Sequence, residues 1–185
     1  MAEIKSICVY CGSQSGNNSV FETAAIKTGK LMAQAGIELV YGGGGKGIMG
    51  AVSQAVLQHG GTVKGIIPGF LASHEGLFTH DTERYEITIT DNMHERKRLM
   101  FEQSDAFLAL PGGIGTLEEI VEIMTWAQLG RHEKPVGFLN IEGFWQPMFD
   151  LLQHMSGYGF LHTEDRIKPK IIDSPEAVVE QLCSA

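Results

Sequence analysis

Two short stretches of the chain carry the side chains suited to chemistry on a phosphorylated substrate. Pro111-Gly-Gly-Ile-Gly-Thr-Leu-Glu-Glu119 follows the apolar run Asp105–Leu110 and leads into a helix-period segment, Leu117–Leu129. A strand, a glycine turn and a helix start together make an anion site. N–H groups in the first helical turn lack intrahelical partners, and the helix dipole puts partial positive charge there. Gly112, Gly113 and Gly115 have no Cβ, so backbone amides can come close to a phosphate. Thr116 is placed to cap the helix and to turn its hydroxyl toward the same anion. Glu118 and Glu119 favour the dipole but repel a phosphate, which directs them to another part of a ligand, a sugar or a reacting carbon.

The second stretch, Met93-His-Glu-Arg-Lys-Arg98, gathers cations at a helix start one strand earlier. Alone it would read as a solvated helix face. Standing one strand before a phosphate-type loop, it shares that loop's edge of the sheet, and Arg96 can give planar, paired bonds to a phosphate or to sugar hydroxyls. His94 has the weaker claim to acid–base work. Along the helix after the glycine turn, Glu118, Glu122 and Thr125 follow i, i+4, i+7 and share a face. Glu119 lies about 100° round from Glu118.

Other motifs are less productive. Gly42, Gly44 and Gly47 satisfy G-x-G-x-x-G between a strand and a helix, yet the ribose-binding acid expected about 20 residues on is missing, since the next strand ends Ile66-Ile67-Pro68. Lys46 is followed by Gly47, so the loop is not a Walker A sequence either. It reads as a tight turn that lets a nucleotide or the second glycine loop approach. Cys8 and Cys11 have C-x-x-C spacing but lead into Gly12-Ser13 rather than a helix start, and read as buried or turn cysteines. The seven histidines are scattered without metal-ligand spacing, and no G-x-S-x-G elbow occurs. No cofactor is expected.

The elements that must position these residues alternate. Strands are expected at Ile4–Tyr10, Ile37–Tyr41, Thr62–Ile67, Tyr85–Thr90, Asp105–Leu110, Pro135–Leu139 and Ile171-Ile172. Helices fall between them: one capped by Ser19 and stopped by Gly36, one from about Ile48 to His59, one over Asn92–Phe101, one near Phe144–Met155, and a last one over Pro175–Cys183 opened by Ser174. Residues 70–84, with His74, Glu75 and His80, read as a loop over the site. Such alternation predicts an α/β fold, a Rossmann-like doubly wound parallel sheet with helices on both faces, formed by residues 1–185 as a single domain. Ligands then bind at the carboxyl ends of the strands, where every glycine-rich turn falls.

The formal charge of −8, from 22 acidic and 14 basic residues, argues against a nucleic-acid polymer as partner but leaves room for a pocket holding one phosphate. No apolar run spans a bilayer and no signal-peptide pattern opens the chain, so a cytoplasmic protein without a membrane partner is expected. Three cysteines are too few for a disulfide framework.

Met93-His-Glu-Arg-Lys97, a strand, then Pro111-Gly-Gly-Ile-Gly-Thr-Leu-Glu-Glu119 resembles the LOG ("lonely guy") family, also labelled the lysine decarboxylase family. The resemblance runs from Cys11-Gly-Ser13 through Gly42–Gly50 to Trp126–Gly130 and Lys134–Gly137, nearly the whole chain. It implies a Rossmann-like homodimer with sites near the subunit interface. It also implies hydrolysis of the N-glycosidic bond of an adenine-type nucleoside 5′-monophosphate, AMP or N6-prenylated AMP, to free base and ribose 5-phosphate. By the same resemblance, Arg96 and Glu119 are the catalytic pair and Gly113 to Thr116 hold the 5′-phosphate. Lys97 and Glu118 stand in the substrate shell, Thr125 and Glu75 match substrate positions, and Met93, Gly112, Leu117, Gly12, Ser13, Gly43 and Gly44 lie in the binding motifs.

Two other classes compete. A nucleotide- or cofactor-binding carrier would need the phosphate site without the reacting pair, and both Arg96 and Glu119 are present. An amino-acid decarboxylase would need pyridoxal phosphate on a lysine, for which no lysine stands out.

Overall fold

Every residue of the first strand, β1 (Ser6–Tyr10), is buried, as a strand covered on both faces requires. Ile7 and Val9 face one layer, Cys8 and Tyr10 the other. The computed structural model describes residues 3–75, 83–161 and 168–184. With β1 go β2 (Glu38–Tyr41), β3 (Val63–Pro68), β4 (Tyr85–Thr90), β5 (Ala106–Ala109), β6 (Val136–Leu139) and β7 (Lys170–Ile172). They form one sheet in the order β4-β3-β2-β1-β5-β6-β7, every neighbouring pair parallel.

Seven helices are described: α1 (Ser19–Gln34), α2 (Gly47–Gln58), α3 (Gly69–Glu75), α4 (Met93–Glu102), α5 (Ile114–Gln128), α6 (Gln146–Gly157) and α7 (Glu176–Cys183). On one face Met32 of α1, Val52 of α2 and Leu182 of α7 pack with Ile7, Val9 and Leu39. On the other, Met100 of α4, Ile120 and Ile123 of α5, and Trp145 just before α6 pack with Cys8, Val40 and Phe107. This is the doubly wound arrangement expected from the alternation.

The chain winds outward from β1 to β4, then crosses back to lay β5 on the other side of β1. That reversal opens a crevice between the loops after β1 and β5, the place where such sheets bind ligands. The two loops touch there, Gly12 N donating to Pro111 O at 3.1 Å. At the other end of the same strand pair, Asp105 Oδ2 accepts from Lys5 N at 2.9 Å and from Ser6 N at 3.0 Å.

Local signals were read mostly to within a residue or two, with corrections. Gly36 ends α1 as expected: at φ +70 it lets Ile37 N reach Met32 O at 3.0 Å while its own N–H reaches Ala33 O. The cap of α1, however, is Asn18, whose extended backbone lets its side chain accept from Val20 N; Ser19 is already helical. Residues 70–75, expected as part of a loop over 70–84, belong to α3, and residues 76–82, with His80, lie outside the described residues. The last helix takes no side-chain cap from Ser174; its boundary residue is Pro175. No helix among the described residues is long and apolar enough to cross a membrane.

Candidate active site

Helix α5 begins at Ile114, three residues before the segment read as helical, because Gly113 takes the extended boundary conformation (φ −93) and needs no side-chain cap. Thr116 therefore does not cap the helix. It sits inside the first turn, 4% exposed, with its hydroxyl pressed under Gly112. The three glycines of this turn divide. A Cβ on Gly112 would overlap Thr116 Oγ1 and stand 2.8 Å from Gly12 N, so packing demands glycine there. Gly113 and Gly115 have nothing within 4 Å of where a Cβ would be, and neither has a positive φ. Nothing in the fold requires them to be glycine; they leave the α5 mouth bare. Ile114 is 82% exposed beside them. A cavity of about 340 Å³ adjoins this mouth, lined among others by Gly12, Ser13, Phe21, Gly112, Gly113 and Phe144.

Arg96 and Glu119 come together beside that mouth. Arg96, on α4, is 6% exposed and Glu119, on α5, is 8% exposed, with Nη1 to Oε1 at 3.4 Å. The helix itself arranges this: Asn92 caps α4 by accepting from Glu95 N at 2.9 Å, and the first turn then points Arg96 inward. From α4 the guanidinium reaches across two strand ends. Nε donates to Ile66 O of β3 at 3.1 Å and Nη2 to Gly42 O after β2 at 3.4 Å. Met93 Sδ lies 3.8 Å from Nη1. A buried ion pair is destabilising unless its spare donors are satisfied, and each of the two carbonyls takes one of them. Glu119 lies about 9 Å along the α5 axis from Gly113, and helical side chains lean toward the N-terminus, so its carboxylate reaches back toward the mouth.

Lys97 faces the other side of α5. Its Nζ holds Glu118 Oε1 at 2.7 Å and Glu122 Oε2 at 3.1 Å, which bears out the shared face read for those two carboxylates. Burial pulls the ammonium's pKa down, but the two carboxylates outweigh it and the net shift is upward. A lysine held so firmly as a cation is unsuited to form a Schiff base, so Lys97 does not fit pyridoxal phosphate. Thr125 is exposed on the same helix, its hydroxyl donating to Val121 O.

The remaining expected residues are placed less directly. Gly43 and Gly44 are buried; Gly43, at φ +78, packs against Ile67 and Ile87 and does not line the cavity at the α5 mouth. The second glycine loop approaches Gly12, not the Gly42–Gly47 turn, and what enters that turn is Arg96. Glu75 ends α3, the helix that follows β3 at the carboxyl edge. Cys8 and Cys11 are buried and not joined to each other, and burial pushes the Cys8 thiol up to about 12, so it stays protonated. Sequence reading missed the carbonyl of Ile66 and the cavity walls Phe21 and Phe144. No local pattern marks them, since each acts through a contact distant in the chain.

A larger hollow, about 800 Å³, opens at the opposite edge of the sheet, by Lys134, Val136 and Lys170. It lies at the amino ends of β6 and β7, and Lys134 Nζ there is already held by Phe101 O at 2.7 Å. The smaller cavity, at the strands' carboxyl edge against the bare α5 mouth, is the better site; Arg96 and Glu119 are not among the residues that line it.

Fold and site together define a doubly wound α/β protein with a bare helix mouth after β5 and a buried arginine–glutamate pair between α4 and α5. The chain belongs to the LOG family: the family model described as possible lysine decarboxylase matches residues 49–182. The probable cytokinin riboside 5′-monophosphate phosphoribohydrolase LOGL1 of Oryza sativa subsp. japonica is 46% identical over 171 residues, covering 92% of this chain and 74% of that one. The cytokinin riboside 5′-monophosphate phosphoribohydrolase LOG1 of Arabidopsis thaliana is 44% identical over 176 residues, covering 95% and 80%. Among solved structures, the molybdenum cofactor carrier protein of Chlamydomonas reinhardtii shares the fold at TM-score 0.69 and 21% identity, over 98% of this chain and 99% of that one. The molybdenum cofactor binding protein of Rippkaea orientalis shares it at 0.68 and 20%, over 98% and 96%.

Proposed function

We propose that this chain hydrolyses the N-glycosidic bond of adenine-type nucleoside 5′-monophosphates, AMP or N6-prenylated AMP, releasing the free base and ribose 5-phosphate. The observation that carries this reading is the bare helix mouth at Gly113 and Gly115 set beside the buried Arg96–Glu119 pair. The relatives named as phosphoribohydrolases support it across most of the chain.

In this reading the 5′-phosphate rests on the amides of Gly113 to Thr116, where unpaired N–H groups and the dipole favour an anion. Glu118 is held by Lys97, which compensates its charge beside the phosphate. As the bond from C1′ to the base nitrogen breaks, its electron pair leaves with the base and positive charge builds on the ribose ring. The Glu119 carboxylate faces that charge and takes a proton from the attacking water, whose oxygen bonds to C1′. The departing base takes a proton from solvent on a ring nitrogen and Glu119 returns to solvent the one it took, so that one water is consumed in all. Arg96 fixes Glu119 and the sugar so that water meets C1′ in line. Met93, Glu75, Thr125 and the Gly12-Ser13 turn complete the substrate surroundings. The protein works in the cytoplasm as a homodimer, a reading that the exposed Ile114, Val121 and Leu129 along α5 support by offering an apolar stripe beside the site.

The test is to incubate the protein with AMP, N6-isopentenyl-AMP and lysine and to assay free base, ribose 5-phosphate and carbon dioxide. Base release from one or both nucleotides is expected. Carbon dioxide from lysine, or nucleotide binding without turnover, would overturn the reading. Light scattering on the same sample gives the subunit count.

A further inference from the structure

We infer that the Gly42 turn is a socket for the Arg96 guanidinium, making Gly42 a positioning residue for the proposed hydrolysis; the inference rests on Arg96 acting in that reaction. A G-x-G-x-x-G turn at the end of a parallel strand ordinarily uses its missing side chains to admit a ligand's pyrophosphate. Here the space is filled from within the protein. A Cβ built on Gly42 would overlap Arg96 Nη2, with Arg96 Cζ at 3.4 Å and Met49 Sδ at 3.3 Å. The Gly42 carbonyl accepts from the same Nη2 at 3.4 Å, and Ile66 O accepts from Nε at 3.1 Å. Two carbonyls on adjacent strand ends thus fix the plane of the guanidinium, and the absent methyl lets it lie there. The third nitrogen, Nη1, is left to meet Glu119 Oε1. Arg96 comes from α4, which carries the chain back from β4 and whose Met100 shares a core layer with Val40 and Ile66, whereas Glu119 comes from α5, after β5. The two carbonyls over β2 and β3, with Met93 Sδ 3.8 Å from Nη1, hold the guanidinium where it meets Glu119.

The geometry also makes the test selective. Gly42 is not at a positive φ, so alanine fits its backbone, and the overlapping atom is the far end of a flexible side chain. Gly42→Ala should therefore move the guanidinium and little else. With base release from the preferred nucleotide as the assay, kcat should fall about 100-fold, the loss typical of a displacement near 1 Å at a reacting centre. Inhibition by ribose 5-phosphate, which reads the α5 mouth, should stay within about twofold, and the melting temperature within about 4 °C. A crystal structure of Gly42→Ala should show the guanidinium off the Gly42 carbonyl. The inference is overturned if kcat is retained, if ribose 5-phosphate inhibition weakens in step with kcat (which would make the turn a phosphate loop), or if the variant does not fold. Should the parent protein release no base from any nucleotide, the hydrolase reading fails instead, and the crystal structure still decides whether the methyl displaces the guanidinium.

Discussion

The two glycine-rich turns at the carboxyl edge of the sheet look alike in sequence and differ in what their glycines are for. In the Gly42–Gly47 turn, an added Cβ collides with the protein's own atoms: Arg96 at Gly42, Ile67 at 2.9 Å from Gly43, and the Ser13-Gln14 backbone at 2.5 Å from Gly47. In the Pro111–Thr116 turn, Gly113 and Gly115 face open space. The first turn is glycine-rich because the fold has filled it; the second stays open because the fold leaves it bare. Glycine in a strand-to-helix turn is thus evidence of a close approach, and only the surroundings tell whether protein or ligand makes it.

The contrast can be broken or sharpened by substitution. The largest effect is expected at the ion pair between α4 and α5: Glu119→Gln should keep the shape of the side chain and cut kcat about 1000-fold, near 4 kcal/mol on the barrier. Circular dichroism and base-release kinetics check it, and turnover within tenfold of the parent would remove Glu119 from the reaction. Next, Gly47→Ala in the filled turn should cost on the order of 3 kcal/mol of stability, since its φ is +57 and its Cβ meets backbone that cannot swing away. Urea unfolding measures this, and a midpoint unchanged from the parent would contradict the packing argument.

In the open turn the signs should separate. Gly115→Ala should stabilise α5 by about 0.5 kcal/mol, as alanine does in a helix, yet raise KM for the nucleotide about tenfold by placing a methyl where phosphate approaches. Loss of both stability and binding together would mean that the turn is as filled as the other. The smallest effect lies at the opposite edge. Asp105 loses some affinity for its proton-free form through burial, but bonds from Lys5 N, Ser6 Oγ and Ser6 N outweigh that and hold its pKa below 3.8. A depressed carboxylate stabilises the fold fully above its unfolded pKa and loses that contribution as pH falls through its folded one. Asp105→Asn should accordingly cost about 1 kcal/mol at pH 7, after discounting for solvent screening, and less at pH 2. Equal cost at both pH values would show that charge is not what matters there.

Much of this was legible in the residues. Buried parallel strands are continuous apolar runs, so β1, β2, β5 and β6 announce themselves, and helical period put Glu118 and Glu122 on the face that Lys97 meets. What failed did so for identifiable reasons. Asn18 and Ser19 are both capping residue types, and the choice rests on backbone angles that the two names do not reveal. Gly113 opens α5 without a side-chain signal, which hid its first turn behind Ile114 and Gly115. The role of Gly42 depends on a residue 54 positions away, and no local pattern carries such a contact.

The pairing of β1 with β5 has a consequence for how the protein comes into being. Ser6 and Asp105 are bonded across 99 positions of chain, so β5 must settle beside a strand made that many residues earlier. Non-local parallel pairing of this kind is slow, and it cannot begin until β5 as well as β1 has left the ribosome. A nascent chain halted before Glu119 already has Arg96 but not the carboxylate it pairs with, so the ion pair closes only after β5 and the start of α5 have been made.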